Sequence, residues 1–222
     1  MISVIIPAYK TAQFIDECIS SIQDAEILVG VDGCEETLNH LKGRSDIRLF
    51  YFTENVGPFI IKNTLINEAS HEDVLFFDSD DILAEGTIPK IEAALKDADY
   101  VRLSYRNFHK SIEEKGHKMN DAVIAIKRNV FNKLNGFQAW ICAADTEFTK
   151  RLEHNKIKCN VIKDLCYHRR LHGGNITLRK ETGHESPIRA KYVQYMGGCE
   201  RNKQWPNPEH KITDGYVTYR NA

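Results

Sequence analysis

The sequence predicts an α/β protein: a mostly parallel, doubly wound central sheet with helices on both faces. Strand-like and helix-like segments alternate four times over about the first hundred residues. The strand segments are unbroken apolar runs, as in sheets covered on both sides. One of them, Val74-Leu75-Phe76-Phe77, empties into Asp78-Ser79-Asp80-Asp81. Carboxylates in that place sit where open α/β sheets bind ligands, beyond the carboxyl ends of the strands.

Each element has its own signal. Residues 2–6 are a β-branched strand that Pro7 is expected to end, and Ile15, Cys18, Ile19 and Ile22 mark one apolar helix face. A second strand over 27–31 stops at Asp32-Gly33, a short helix follows over 35–41, and a third strand spans 47–52. Pro58 suits the first turn of a helix that carries Ile61, Leu65 and Ala69 at four-residue spacing into the strand at 74–77. Ile88, Ile91 and Leu95 give the next helix and residues 100–105 the next strand. The pattern then loosens into a polar loop over 109–120, a short strand over 123–126 and a helix over 145–152 with Phe148 and Leu152 facing inward. Residues 178–222 are polar and aperiodic. They are read as an extension to a domain of residues 1–177, packed on its surface, covering one side of the ligand site or building an oligomer contact.

The chain of 222 residues is long enough for one well-buried core. With 30 basic against 31 acidic residues it has no bulk field to attract nucleic acid or an anionic membrane. Its six cysteines are scattered without a Cys-x-x-Cys pair, which favours free thiols in a reducing compartment. No signal peptide or membrane-spanning run is evident, and the expectation is a soluble cytoplasmic protein.

Two readings fit the carboxylate run. It can be an acidic turn, in which Asp81 caps the next helix. It can also be a site for a hard divalent cation, Mn²⁺ or Mg²⁺, which takes oxygen ligands and shares them with substrate phosphates. Placement after a buried strand favours the cation. By the same rule Pro7-Ala8-Tyr9, Asp32-Gly33 and Asp78 to Asp81 share one rim. Taken alone, Asp32-Gly33 is equally a plain turn, Asp145 a helix-opening carboxylate, and His168 to His172 a solvated basic loop.

Read in order, these segments resemble the family 2 glycosyltransferases. Ser3-Val4-Ile5-Ile6-Pro7-Ala8-Tyr9 is similar to that family's opening strand and Val31-Asp32-Gly33-Cys34 to its nucleotide turn. Asn55-Val56-Gly57 with Lys62-Asn63 resembles the segment before its metal motif, and Asp78-Ser79-Asp80 its Asp-x-Asp. Gly136-Phe137 and Ala144-Asp145-Thr146-Glu147-Phe148 with Arg151-Leu152 resemble its acceptor segment. His168-Arg169-Arg170-Leu171-His172 with Asn175-Ile176-Thr177 is similar to its diphosphate-closing stretch. Ala144, Cys34 and Lys62 depart from the usual residues.

The resemblance implies the GT-A fold, Rossmann-like in its sheet, and an inverting, metal-dependent transfer from a nucleoside-diphosphate sugar, a UDP-sugar, to a glycan or other hydroxyl acceptor. It implies Asp80, Asp78 and His172 as metal ligands with Asp81 in support, and Asp145 as the base with Glu147 its rival. It further implies Pro7, Tyr9, Asp32, Lys62, Asp78, Arg169 and Arg170 around the donor. A general base and a counter-charge for the leaving diphosphate are what such a transfer needs. A nucleotidyltransferase of similar architecture would carry a glycine-rich loop after the first strand, which Pro7-Ala8-Tyr9-Lys10-Thr11 lacks. A non-catalytic sugar-nucleotide or glycan-binding module is the rival of another class.

Overall fold

The computed structural model describes residues 1–110 and 112–219. Strands β1 (Ile2–Ala8), β2 (Glu26–Asp32), β3 (Arg48–Phe52) and β4 (Asp73–Phe76) pair in parallel in the order β3-β2-β1-β4. Helices α1 (Ile15–Ser20), α2 (Glu35–Leu41) and α3 (Pro58–Leu65) connect them. The chain steps outward from β1 to β3 and then returns to β1's other side, so a switch point lies between β1 and β4. That crevice is where ligands bind in open α/β sheets.

The period-2 alternation of the strands divides the core in two. Val4, Ile6, Val29, Val31 and Leu75 face α1, α2 and α4 (Thr87–Leu95). Ile5, Leu28, Val74 and Phe76 face α3, α5 (Arg128–Lys133) and α6 (Ala144–His154). Helices therefore cover both faces. Gly30 allows the close approach of α3, because a Cβ there would lie 2.4 Å from Ile61 Cγ2.

Beyond β4 the sheet becomes mixed. Strand β5 (Ile82–Leu83) is followed by β6 (Tyr100–His109), β7 (Ile112–Glu113), β8 (Lys118–Lys127) and β9 (Cys159–Arg170). The order continues β4-β8-β6-β9-β5, with β8 antiparallel to β4 and β6, and β9 parallel to β6. Helix α7 (Pro187–Asn202) and strand β10 (Tyr216–Tyr219) complete the fold, β10 lying antiparallel on the outer edge of β3.

Four expectations need correction. Strand β1 runs through Pro7 to Ala8. Its pairing with β4 ends at Ile5 and Phe76, so the N–H that Pro7 lacks has no partner waiting on that side. The expected loop at 109–120 is largely a hairpin of long β6 and β8 with β7 alongside, residue 111 lying outside the described residues. Strand β9 went unread because its first half is mostly exposed and mixes polar Asn160, Lys163 and Asp164 with apolar residues. The 178–222 segment is not wholly irregular: α7 buries only Met196 and Cys199, which leaves little apolar period to read, and β10 is placed by pairing.

Candidate active site

Four loops meet at the carboxyl ends of β1, β2, β4 and β9. After β4 the chain turns through Asp78 to Asp81, the Asp81 amide donating to the Asp78 carbonyl at 3.3 Å, and enters β5, which pairs with His168 and Tyr167 of β9. The carboxylate of Asp81, 3% exposed, accepts the Arg170 amide at 2.9 Å. This bond ties the acidic turn to the end of β9.

The three carboxylates differ in what meets them. Asp78 Oδ1 takes an ion pair from Lys62 Nζ at 3.2 Å, and the Lys62 side chain is 3% exposed. Asp80 Oδ2 takes two donors, His172 Nε2 at 2.7 Å and Asn175 Nδ2 at 3.1 Å. His172 Nδ1 accepts the Gly174 amide at 3.1 Å, which puts the ring proton on Nε2, toward Asp80. Burial, with repulsion from Asp80 and Asp145, pushes the Asp78 carboxyl up despite Lys62. Burial and repulsion from Asp80 and Asp78 push Asp81 well above the usual carboxylate range. Negative charge here exceeds the positive charge that meets it.

That excess fits a divalent cation, and the oxygen donors suit Mn²⁺ or Mg²⁺. Among the described residues no group of three or more His, Cys, Asp or Glu is arranged to hold a metal by itself. The donor set therefore fits an ion that completes its shell with ligand phosphate and water.

The remaining expected site residues fall into two groups. Pro7 and Tyr9 lie at the end of β1 beside the crevice, with Lys10 Nζ 5.2 Å from the Tyr9 ring centroid. Asp145, in the first turn of α6, is close enough to raise the pKa of Asp78. Among the described residues its carboxylate takes one hydrogen bond, from the Thr146 amide at 2.8 Å. The N-cap of α6 is Ala143, in the left-handed region at φ 63°, so Asp145 is not the cap.

Four residues are engaged elsewhere. Glu147 is fully buried, its two oxygens facing Arg151 Nε at 2.9 Å and Nη2 at 3.0 Å, while Arg151 also donates to the carbonyls of Leu134 and Gly136. Asp32, 3% exposed, accepts the Val56 amide at 2.7 Å and the Gly57 amide at 3.1 Å and so shapes the 55–57 turn. Gly33 is needed beside it: φ is +60° and a Cβ would meet the Asn55 nitrogen at 2.7 Å. Arg170 donates to the Asp80 carbonyl at 2.9 Å and to Glu17, and lies 4.9 and 4.6 Å from the Phe14 and Phe108 centroids. Arg169 donates to Thr177 Oγ1 at 3.1 Å. Both arginines hold the rim in this structure.

Asn175 was read only as part of the diphosphate-closing stretch, with no role of its own, since its contact with Asp80 is made by a residue 95 positions away in the chain. The Glu147–Arg151 pair did have a signal, a carboxylate four residues ahead of an arginine on one helix.

The sequence matches Glycosyl transferase family 2 over residues 3–149, more than half of the chain. An uncharacterized glycosyltransferase of Rickettsia conorii is 32% identical over 123 residues, 52% of this chain and 20% of that protein. Glycosyltransferase GlyG of Streptococcus pneumoniae is 29% identical over 123 residues, 50% of this chain and 41% of that protein. The chain thus spans less than half the length of these relatives. S. aureus TarS 1-349 in complex with UDP-GlcNAc is similar in structure with a TM-score of 0.66 at 19% identity, over 78% of this chain and 59% of that one. Mannosyltransferase PcManGT from Pyrobaculum calidifontis, in complex with GDP-Man and Mn²⁺, is similar with a TM-score of 0.69 at 20% identity, over 92% and 65%. The shared architecture is the GT-A fold, and the family match makes this chain a member of glycosyl transferase family 2.

Proposed function

We propose that the domain transfers a sugar from a nucleoside-diphosphate sugar, a UDP-sugar first among candidates, to an acceptor hydroxyl by a single inverting displacement. The observation that carries this is Asp145: a carboxylate with no cationic partner among the described residues, at a helix start, within electrostatic reach of the Asp78–Asp81 turn. Asp145 takes the acceptor proton as the new bond forms. Lys62 offsets part of what burial and the neighbouring carboxylates do to Asp78, and Pro7 and Tyr9 line the donor side. A divalent cation held by Asp80 and Asp78 would supply counter-charge for the departing diphosphate. His172 can join it only by giving up the proton that faces Asp80. Glu147 is assigned to structure because its charge is already met.

The relatives bound to UDP-GlcNAc and to GDP-Man support a nucleotide-sugar donor and leave two bases to compare. Thermal shift with a panel of UDP- and GDP-sugars plus Mn²⁺ identifies the donor, since a ligand bound only to the native state raises stability. Asp145→Asn is expected to lower turnover about 10² to 10⁴-fold with donor affinity unchanged. An active Asp145→Asn enzyme removes the base assignment, and a wild type that binds donor yet transfers no sugar leaves a binding module.

We also propose that residues 178–222 brace the acceptor side. Tyr192 of α7 stacks on Trp140 at 4.1 Å and 3°, just ahead of α6, and Trp205 packs with Met196 and Cys199 beside Trp140. Truncation after Thr177 should keep the secondary structure of the remainder, lower Tm by at least about 4 °C, and reduce acceptor turnover more than donor binding. Global unfolding would make the segment part of the core, and unchanged turnover would remove the brace.

A further inference from the structure

We propose that Asn175 is the positioning residue for Asp80: its carboxamide holds Oδ2 of that carboxylate and leaves Oδ1 to meet the donor's cation. The inference rests on the metal-assisted reading above. Asn175 is 8% exposed and every polar atom of its side chain is used. Nδ2 donates to Asp80 Oδ2 and to the Arg170 carbonyl, each at 3.1 Å, and Oδ1 accepts the His172 amide at 2.7 Å. Its backbone carbonyl accepts the amides of Leu178 at 2.9 Å and Arg179 at 3.2 Å. One side chain thus links the acidic turn after β4 to both ends of the turn after β9.

The consequence for Asp80 is an asymmetric carboxylate. Oδ2 carries two donors, from Asn175 and His172, while among the described residues Oδ1 takes no hydrogen bond. Two donors on one oxygen fix rotation of the group and direct the other oxygen's lone pairs outward. Partners that orient a ligating carboxylate in this way act on metal affinity through the ligand. Few side chains do this at this length. Aspartate lacks the donor, serine reaches too short a distance, and alanine leaves the Arg170 carbonyl and the His172 amide without their partner inside a buried turn.

The test uses the full chain, with Mn²⁺ followed by electron paramagnetic resonance in the presence of UDP or GDP. Asn175→Ala is expected to weaken Mn²⁺ binding about 10- to 100-fold, with nucleotide affinity in EDTA unchanged. A residue that merely held the loop would move both. Should Asn175→Ala not fold, Asn175→Ser keeps a polar group in the turn and should show the same loss. In an Asp80→Asn background, Asn175→Ala should add no further loss of kcat, because the two act as one unit. Mn²⁺ affinity within about twofold of wild type in a folded variant, or an equal loss of nucleotide binding in EDTA, overturns the role of Asn175 alone. A wild type that binds no Mn²⁺ with either nucleotide overturns the metal-assisted reading and this inference with it.

Discussion

At the amino ends of the parallel strands Glu26 accepts hydrogen bonds from Ser3 Oγ at 2.5 Å, Ser70 Oγ at 2.6 Å, the Ser70 amide at 2.8 Å and Arg48 Nη1 at 2.7 Å. At the carboxyl ends Asp78, Asp80 and Asp81 crowd one turn, where among the described residues Lys62 pairs with Asp78 and the Arg170 guanidinium donates to the Asp80 carbonyl. Burial raises the pKa in both places, but around Glu26 the hydroxyl, amide and guanidinium donors outweigh it and hold the carboxyl at about 2. Around Asp78 and Asp81 burial and mutual repulsion win. The first end has its charge met within the protein, and the second is the end at which the proposed ligand would bind. Glu147, paired with Arg151 inside the same domain, belongs with the first kind although it lies two residues from Asp145.

The contrast can be broken by experiment. Its largest effect is expected at the unfinished end, where Asp80→Ala should abolish Mn²⁺-dependent donor binding and leave the melting temperature close to wild type. A variant with full metal-dependent turnover would refute the assignment of Asp80. Next is Glu147→Ala, which strands the Arg151 charge in the interior and should cost about 3–5 kcal/mol in urea denaturation. A stable Glu147→Ala protein with lost turnover would instead make Glu147 the base.

The smallest effect is expected at Glu26. Its folded pKa lies below the ordinary glutamate value of 4.5, so its contribution is present above that value and is lost as pH falls toward about 2. Glu26→Gln should lose ~1–2 kcal/mol at neutral pH and flatten the decline of stability across that acid window. Denaturation curves at a series of pH values check this, and an unchanged acid decline would mean that the carboxylate contributes nothing there.

The first half of the molecule was legible because each of its elements carries a local pattern. Pro58 opens α3 and Glu35–Leu41 forms α2 as read, and the apolar run before Asp78 is a strand buried between neighbours on both sides. The rim followed from topology alone, since parallel crossovers deliver every carboxyl end to one edge. The second half is held by pairing between segments far apart in sequence, such as β6 with β9 and β3 with β10. Strand β9 is set by its long pairing with β6, and its mixed, largely exposed first half carries little local pattern to read.

By itself the sequence determined the α/β class, the order of the first four strands and helices, and the concentration of carboxylates at the end of β4. Those follow from periodicity and from the placement of charge, which are local properties. Only the tertiary structure decided which charges are already met. Asp32 closes on a turn, Arg170 on Glu17 and two aromatic rings, Glu147 on Arg151, and Asn175 on Asp80, while among the described residues no cation pairs with Asp145. Whether an ionised group serves the fold or a ligand depends on the partners within a few ångströms of it, and folding, not spacing along the chain, supplies those partners.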